Sequence, residues 1–154
     1  MTLSRFVEKW TSPEYPPDHV PEAALREAED QLGFRFPADY VRDVLEIGLP
    51  HPNARLLDAI AERELDDACP DGFNTPEEIV TATQEYRGAG MPSDLVVIAI
   101  DVGGNAFCFS AQQIAAEQRG IWLFDHDFMT VKEIAPSFSA WIDALCAIEP
   151  RPEE

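Results

Sequence analysis

Basic residues are scarce in this chain of 154 residues: 11 Lys+Arg face 29 Asp+Glu, and the formal net charge is −18. Binding to nucleic acid draws its strength from Lys and Arg displacing condensed counterions, and a chain without a basic cluster excludes that class of partner. Cysteine is equally sparse. Cys69, Cys108 and Cys146 are odd in number, far apart and never arranged as C-x-x-C, so neither a disulfide framework nor a zinc site is indicated, and reduced cytosolic thiols fit. No stretch approaches the ~20 apolar residues of a membrane span. The opening MTLSRFVEKW sets charges inside its apolar residues where a signal peptide is continuous. The expected location is the cytoplasm, with no membrane partner. Neither G-x-G-x-x-G nor G-x-x-x-x-G-K-[ST] occurs, so Gly103-Gly104 reads as a turn between strands and no cofactor is called for.

What remains is the composition of an ordinary globular protein. Hydrophobic residues make up 45% and aromatics 10%, enough for one core, and a chain of this size buries roughly 70% of its unfolded surface. The expected organisation is a single domain: residues 1–19 an extended lead-in, because TSPEYPP breaks helix and strand alike, 20–148 the core, and 149–154 a charged tail. Leu25, Ala28 and Leu32 recur at helical spacing after Pro21 and Glu22 until Gly33 stops them. Pro37 opens a second helix with Tyr40, Val41, Val44, Leu45 and Ile47 on one face, ended by Gly48 and Pro50. Residues 54–65 fit a helix that could hold a short strand. Thr75-Pro76-Glu77-Glu78 forms a capping box, and Ile79, Val80, Thr83 and Tyr86 give the helix behind it one apolar side.

The texture then turns to strands. Leu95 to Ile100 is a β-branched run bounded by Pro92 and Gly103-Gly104-Asn105, Ala106 to Phe109 returns from that turn, and Ile121 to Phe124 follows a helix-compatible link rich in Gln and Ala. Ser137 caps a last helix carrying Phe138, Trp141, Ile142 and Leu145 on one side. Trp122 and Trp141 therefore read as core. The fold class expected is α+β, a small antiparallel sheet of three or more strands packed with N-terminal, middle and C-terminal helices.

Several of these segments, in this order, resemble the SUKH superfamily. They are Ala28-Glu29 with Leu32-Gly33; Phe36-Pro37-Ala38-Asp39-Tyr40; Leu95 to Asp101 running through Gly103-Gly104-Asn105 to Phe107-Cys108-Phe109; Gly120 to Asp127; and Ile134-Ala135-Pro136-Ser137-Phe138-Ser139-Ala140-Trp141-Ile142. Where the family often closes its second helix with Asn-Gly, Glu46-Ile47-Gly48-Leu49 keeps only the glycine. The resemblance implies a domain that acts by binding. The common bacterial role is immunity to a toxin, often a nuclease, and a regulatory interaction module without a toxin is the other reading.

An inhibitor of a phosphate-attracting site gains on-rate by being acidic. Between residues 58 and 78 the acids Asp58, Glu62, Glu64, Asp66, Asp67, Asp71, Glu77 and Glu78 are opposed only by Arg63. Together with Asp101, Asp125 and Asp127 at strand ends, Asp58, Glu62, Asp66, Asp67 and Asp71 are the candidate partner-binding residues for a basic toxin domain. A third reading is a small metal-dependent enzyme built on Asp101, Asp125, His126 and Asp127. Against it, polar residues commonly end strands and satisfy turns, and these four lack a metal-ligand spacing; no catalytic and no metal residue is assigned. His19 and His51 sit among prolines and read as surface residues.

Overall fold

The computed structural model describes residues 2–62, 70–111 and 120–149. Its elements, in chain order, are α1 (Thr2–Trp10), α2 (Glu22–Leu32), α3 (Ala38–Ile47), α4 (Ala54–Glu62), β1 (Gly72–Phe73), α5 (Pro76–Gly88), β2 (Leu95–Ile100), β3 (Ala106–Ser110), β4 (Ile121–Asp125), β5 (Thr130–Ala135) and α6 (Phe138–Cys146). The strands form one antiparallel meander in the order β1-β2-β3-β4-β5. This is the α+β class read from the sequence, with β1 and β5 added to the three strands recognised there.

The extended lead-in is corrected over its first half. Residues 2–10 form α1, because the proline-rich breaker starts only after them and Leu3, Phe6 and Trp10 fall on one helical stripe, all fully buried. The indole N–H of Trp10 donates to the Leu145 carbonyl at 2.9 Å and Lys9 Nζ to the Cys146 carbonyl at 2.7 Å, so α1 closes the C-terminal end of α6. At its other end the Leu3 amide meets Asp43 Oδ2 at 3.4 Å. Downstream, Asp18 and Leu49 exchange both backbone hydrogen bonds, each 2.9 Å. That exchange explains why only a glycine serves at Gly48: its φ is +98°, and a Cβ there would lie 2.4 Å from the Asp18 carbonyl oxygen.

The FPADY segment turns out to hold the fold together. Glu29, buried on α2, accepts the Phe36 amide at 2.8 Å and pairs with Arg26 at 2.7 Å, pinning the corner into α3. Asp39 Oδ2 accepts both the amide and the hydroxyl of Ser139, each at 3.0 Å, while Oδ1 takes the Tyr40 amide at 2.9 Å. One buried carboxylate thus serves the first turns of two helices. The Tyr40 ring packs edge-on against Phe109 and Phe138, and burial drives its phenol pKa well above the ordinary value.

Both faces of the sheet are covered over β2 and β3, which is why β2 reads as a continuous apolar run without alternation. Val96, Ile98, Phe107, Phe109, Ile121 and Leu123 face the main core with the apolar stripes of α1, α2, α3 and α6. Leu95, Val97, Cys108 and Phe124 face the other way, with Met91, Ala106, Tyr86 and Trp122. Trp141 is core, as read from the sequence, and stacks on Phe107 at 4.9 Å. Trp122 is only half-buried at the rim of the second cluster. β1 covers only the last residues of β2; before it, the Asn74 amide bonds the Ile98 carbonyl at 2.9 Å and the Thr83 hydroxyl of α5 accepts the Val97 amide at 2.9 Å, so helix and loop close the rest of that edge.

Candidate functional site at the hairpin end of the sheet

A meander brings alternate turns to the same end of the sheet. The β2–β3 turn (101–105), the β4–β5 turn (126–129) and the start of β1 therefore converge. The Asp71 amide donates to the Ile100 carbonyl at 2.9 Å, which sets Asp71 beside Asp101.

Each turn is organised by an aspartate that ends the preceding strand. Asp101 Oδ1 accepts the amides of Gly103 at 2.8 Å and Asn105 at 2.9 Å; Gly104 adopts a φ of +86° that completes the turn, and its carbonyl receives the Tyr86 hydroxyl at 2.6 Å. Asp125 Oδ1 accepts the amides of Asp127 at 2.9 Å and Phe128 at 3.2 Å. The second oxygen of each takes no hydrogen bond among the described residues and adds negative charge to the surface. His126 ties the turns together: its Nδ1 lies 3.0 Å from Asn105 Oδ1, its amide donates to the same oxygen at 3.3 Å, and its Nε2 is 3.4 Å from Asp127 Oδ1. The ring lies on Gly104, where a Cβ would approach it to 3.2 Å. Burial, and then the charge of Asp101, raise the Tyr86 phenol pKa above its ordinary value.

Of the eight partner-binding candidates, the structure therefore gathers Asp71, Asp101, Asp125 and Asp127 at one end of the sheet. Asp58 is exposed on α4, Glu62 closes that helix, and Asp66 and Asp67 lie outside the described residues, as do Glu64, Arg63 and Cys69. The helix-compatible link of residues 112–119 and the tail of 150–154 also lie outside them.

Sequence reasoning missed the apolar residues among these acids. Val102 is 79% exposed and Phe128 78%, and Met129 and Val131 are exposed beside Phe128; among the described residues, only Tyr15 is another large hydrophobic side chain so exposed. Met129 also adopts a φ of +56°, a left-handed conformation that non-glycine residues seldom take, with its methyl group over Gly90 at the end of α5. The signal was present: Phe-Met occupies a turn where polar residues are the rule, and Val102 separates an aspartate from two glycines.

Asp125, His126 and Asp127 are the one group among the described residues whose ligand atoms could share a metal, all within 4.8 Å of one another. Asp125 is half-buried and His126 and Asp127 are exposed on this turn. A groove of about 440 Å³ between α2 and α5 is lined by Glu27, Gln31, Glu77 and Gln84 and includes none of them. No helix among the described residues is long and apolar enough to cross a membrane.

Among the described residues, an antiparallel meander packed against helices, with an acidic hairpin end, defines an α+β domain. The family model for the SMI1 / KNR4 family (SUKH-1) matches residues 19–144, and the chain belongs to that family. No curated protein matches the chain. The family assignment agrees with the resemblance carried by residues 20 to 148, and α1 precedes the matched region.

Proposed function

We propose that this chain is an intracellular immunity protein that binds and neutralises a basic toxin domain. It does so through the acidic face comprising Asp71, Asp101, Asp125 and Asp127, while Asp58, Glu62, Asp66 and Asp67 are the further acids of the sequence proposed to steer the same partner. The observation that supports this reading most is the convergence of four carboxylates at the hairpin end of a chain that already carries a net charge of −18. Such a field steers a cationic partner into encounter, raising the on-rate by ~10–10³-fold, and it repels nucleic acid, so it competes with a nuclease's own substrate for the same basic surface. Family membership supports binding over catalysis.

The test takes as partner the protein encoded by the gene adjacent to this one. Association should be fast at low salt and slow markedly as the screening length falls to ~8 Å near 0.15 M, with dissociation changing much less. Reversing Glu62, Asp66 and Asp67 to lysine, or Asp71 and Asp127 to lysine, should each lower the on-rate by about 10-fold while the far-ultraviolet circular dichroism stays unchanged. An on-rate indifferent to salt and to both sets would refute the acidic face. A neighbouring gene product that is neither toxic nor bound would favour a regulatory interaction module.

A further inference from the structure

We infer that Phe128 and Val102, carried on the two adjacent turns, are apolar anchors of this face, and that its partner presents an apolar side chain set between Arg or Lys residues. The inference rests on the proposed binding role of the hairpin end and specifies the chemistry that end selects.

Four observations carry it. Exposed large hydrophobics are concentrated here, with Val102, Phe128, Met129 and Val131 at this end. Exposed apolar side chains grouped within a polar rim mark interaction sites, and aromatic ones are preferred where binding energy concentrates. The turns are also pre-organised: Asp125 holds the Phe128 amide, Asp101 holds the other turn, and His126 joins them through Asn105, so little ordering entropy is lost on docking. The left-handed backbone at Met129 shows a turn kept with a bulky residue where glycine is the unstrained choice. Finally, the residues flanking the anchors are Asp101, Asp125 and Asp127, so the polar rim is anionic and its complement is cationic. Charge sets the encounter rate and the anchors set the choice among cationic partners.

Two synthetic probes separate these contributions: hexa-arginine, and the peptide Arg-Leu-Arg-Arg-Leu-Arg, each titrated by fluorescence anisotropy against the full chain. The mixed peptide should bind about 10-fold more tightly than hexa-arginine despite its lower charge, because burying the exposed Phe128 ring contributes on that scale. Its advantage should persist when salt weakens both peptides. Phe128→Ser and Val102→Ser should each reduce the advantage and the double variant remove it; Tyr15→Ser, which alters an exposed aromatic elsewhere, should leave it intact. Equal affinities with both peptides still lost on Asp71→Lys/Asp127→Lys would overturn the anchors and leave the acidic face standing. A preference surviving in the Phe128→Ser/Val102→Ser double variant would also overturn them. Failure of both peptides to bind at low salt would sink the anchors and the acidic-face reading together.

Discussion

Replacing Asp39 by alanine tests whether the FPADY segment encodes fold. Its carboxylate is 5% exposed and accepts three hydrogen bonds, from the Tyr40 amide and from the amide and hydroxyl of Ser139, a residue 100 positions away. A hydrogen bond to a charged acceptor contributes roughly 1.5–3 kcal/mol when partners are buried. The three share one acceptor and the freed donors sit at helix starts that water can partly reach, so the sum is well below additive and a loss of about 3–4 kcal/mol is expected. Asp39→Asn, which keeps acceptor oxygen but turns an amide group toward other donors, should lose about 2 kcal/mol. Urea unfolding followed by tryptophan fluorescence gives both values, with the m-value unchanged if the native packing survives. A double-mutant cycle with Ser139→Ala should show a coupling of about 1 kcal/mol. A loss below ~1 kcal/mol for Asp39→Ala, or strict additivity in the cycle, would refute the assignment of this residue as the tie between α3 and α6.

Trp141→Ala should cost about 3–5 kcal/mol in the same assay, since the ring is buried against Phe107, Phe73 and Phe138; Trp141→Phe should cost under ~1.5, because the indole N–H finds no acceptor among the described residues. Gly48→Ala should cost about 3 kcal/mol, combining its positive φ with the clash against the Asp18 carbonyl, and a melting temperature unchanged from the parent would contradict that geometry. Folding raises the Tyr86 phenol pKa, so the folded state holds the proton more tightly than the unfolded chain; that stability is intact below pH ~10 and is lost as pH rises through the folded value. Tyr86→Phe should flatten the alkaline loss seen in urea midpoints as pH rises above about 10, and an unaltered slope would remove Tyr86 as its source. Purified protein should carry no stoichiometric metal; zinc or manganese found by elemental analysis and lost in Asp125→Ala/His126→Ala would favour the enzymatic reading.

Elements that bury one face over several turns between clear stop signals were legible in the sequence. Helices α2, α3, α5 and α6 and strands β2, β3 and β4 fall where periodicity, caps and β-branched runs put them. What was missed lacked such a local signal. Helix α1 has only nine residues, and Arg5, Glu8 and Lys9 interleave its stripe; its burial is decided by α6, 135 residues further on in the Trp10–Leu145 hydrogen bond. Strand β5, TVKEIA, is exposed over its first four residues and has no apolar alternation to read, because an edge strand carrying Lys132 and Glu133 buries almost nothing.

The candidate site divides along the same line. Net charge is a property of composition and needs no fold, so the acidic character of the surface was visible at once. Which acids act together is a property of register: Asp71, Asp101 and Asp125 are separated by 24 to 30 positions in sequence and meet only because three antiparallel ladders place the β1 start and the β2 and β4 ends on the same side. The same register explains Asp-His-Asp, which in sequence resembles ligands for a metal. In the fold one of its carboxylates builds the turn and its imidazole spans to Asn105 on the neighbouring hairpin, so polar residues first nominated as chemistry serve to hold the turns in place. What those turns hold outward is Phe128 and Val102, and a chain that buries Phe107 and Phe109 completely while leaving Phe128 78% exposed has placed that ring where folding alone does not require it.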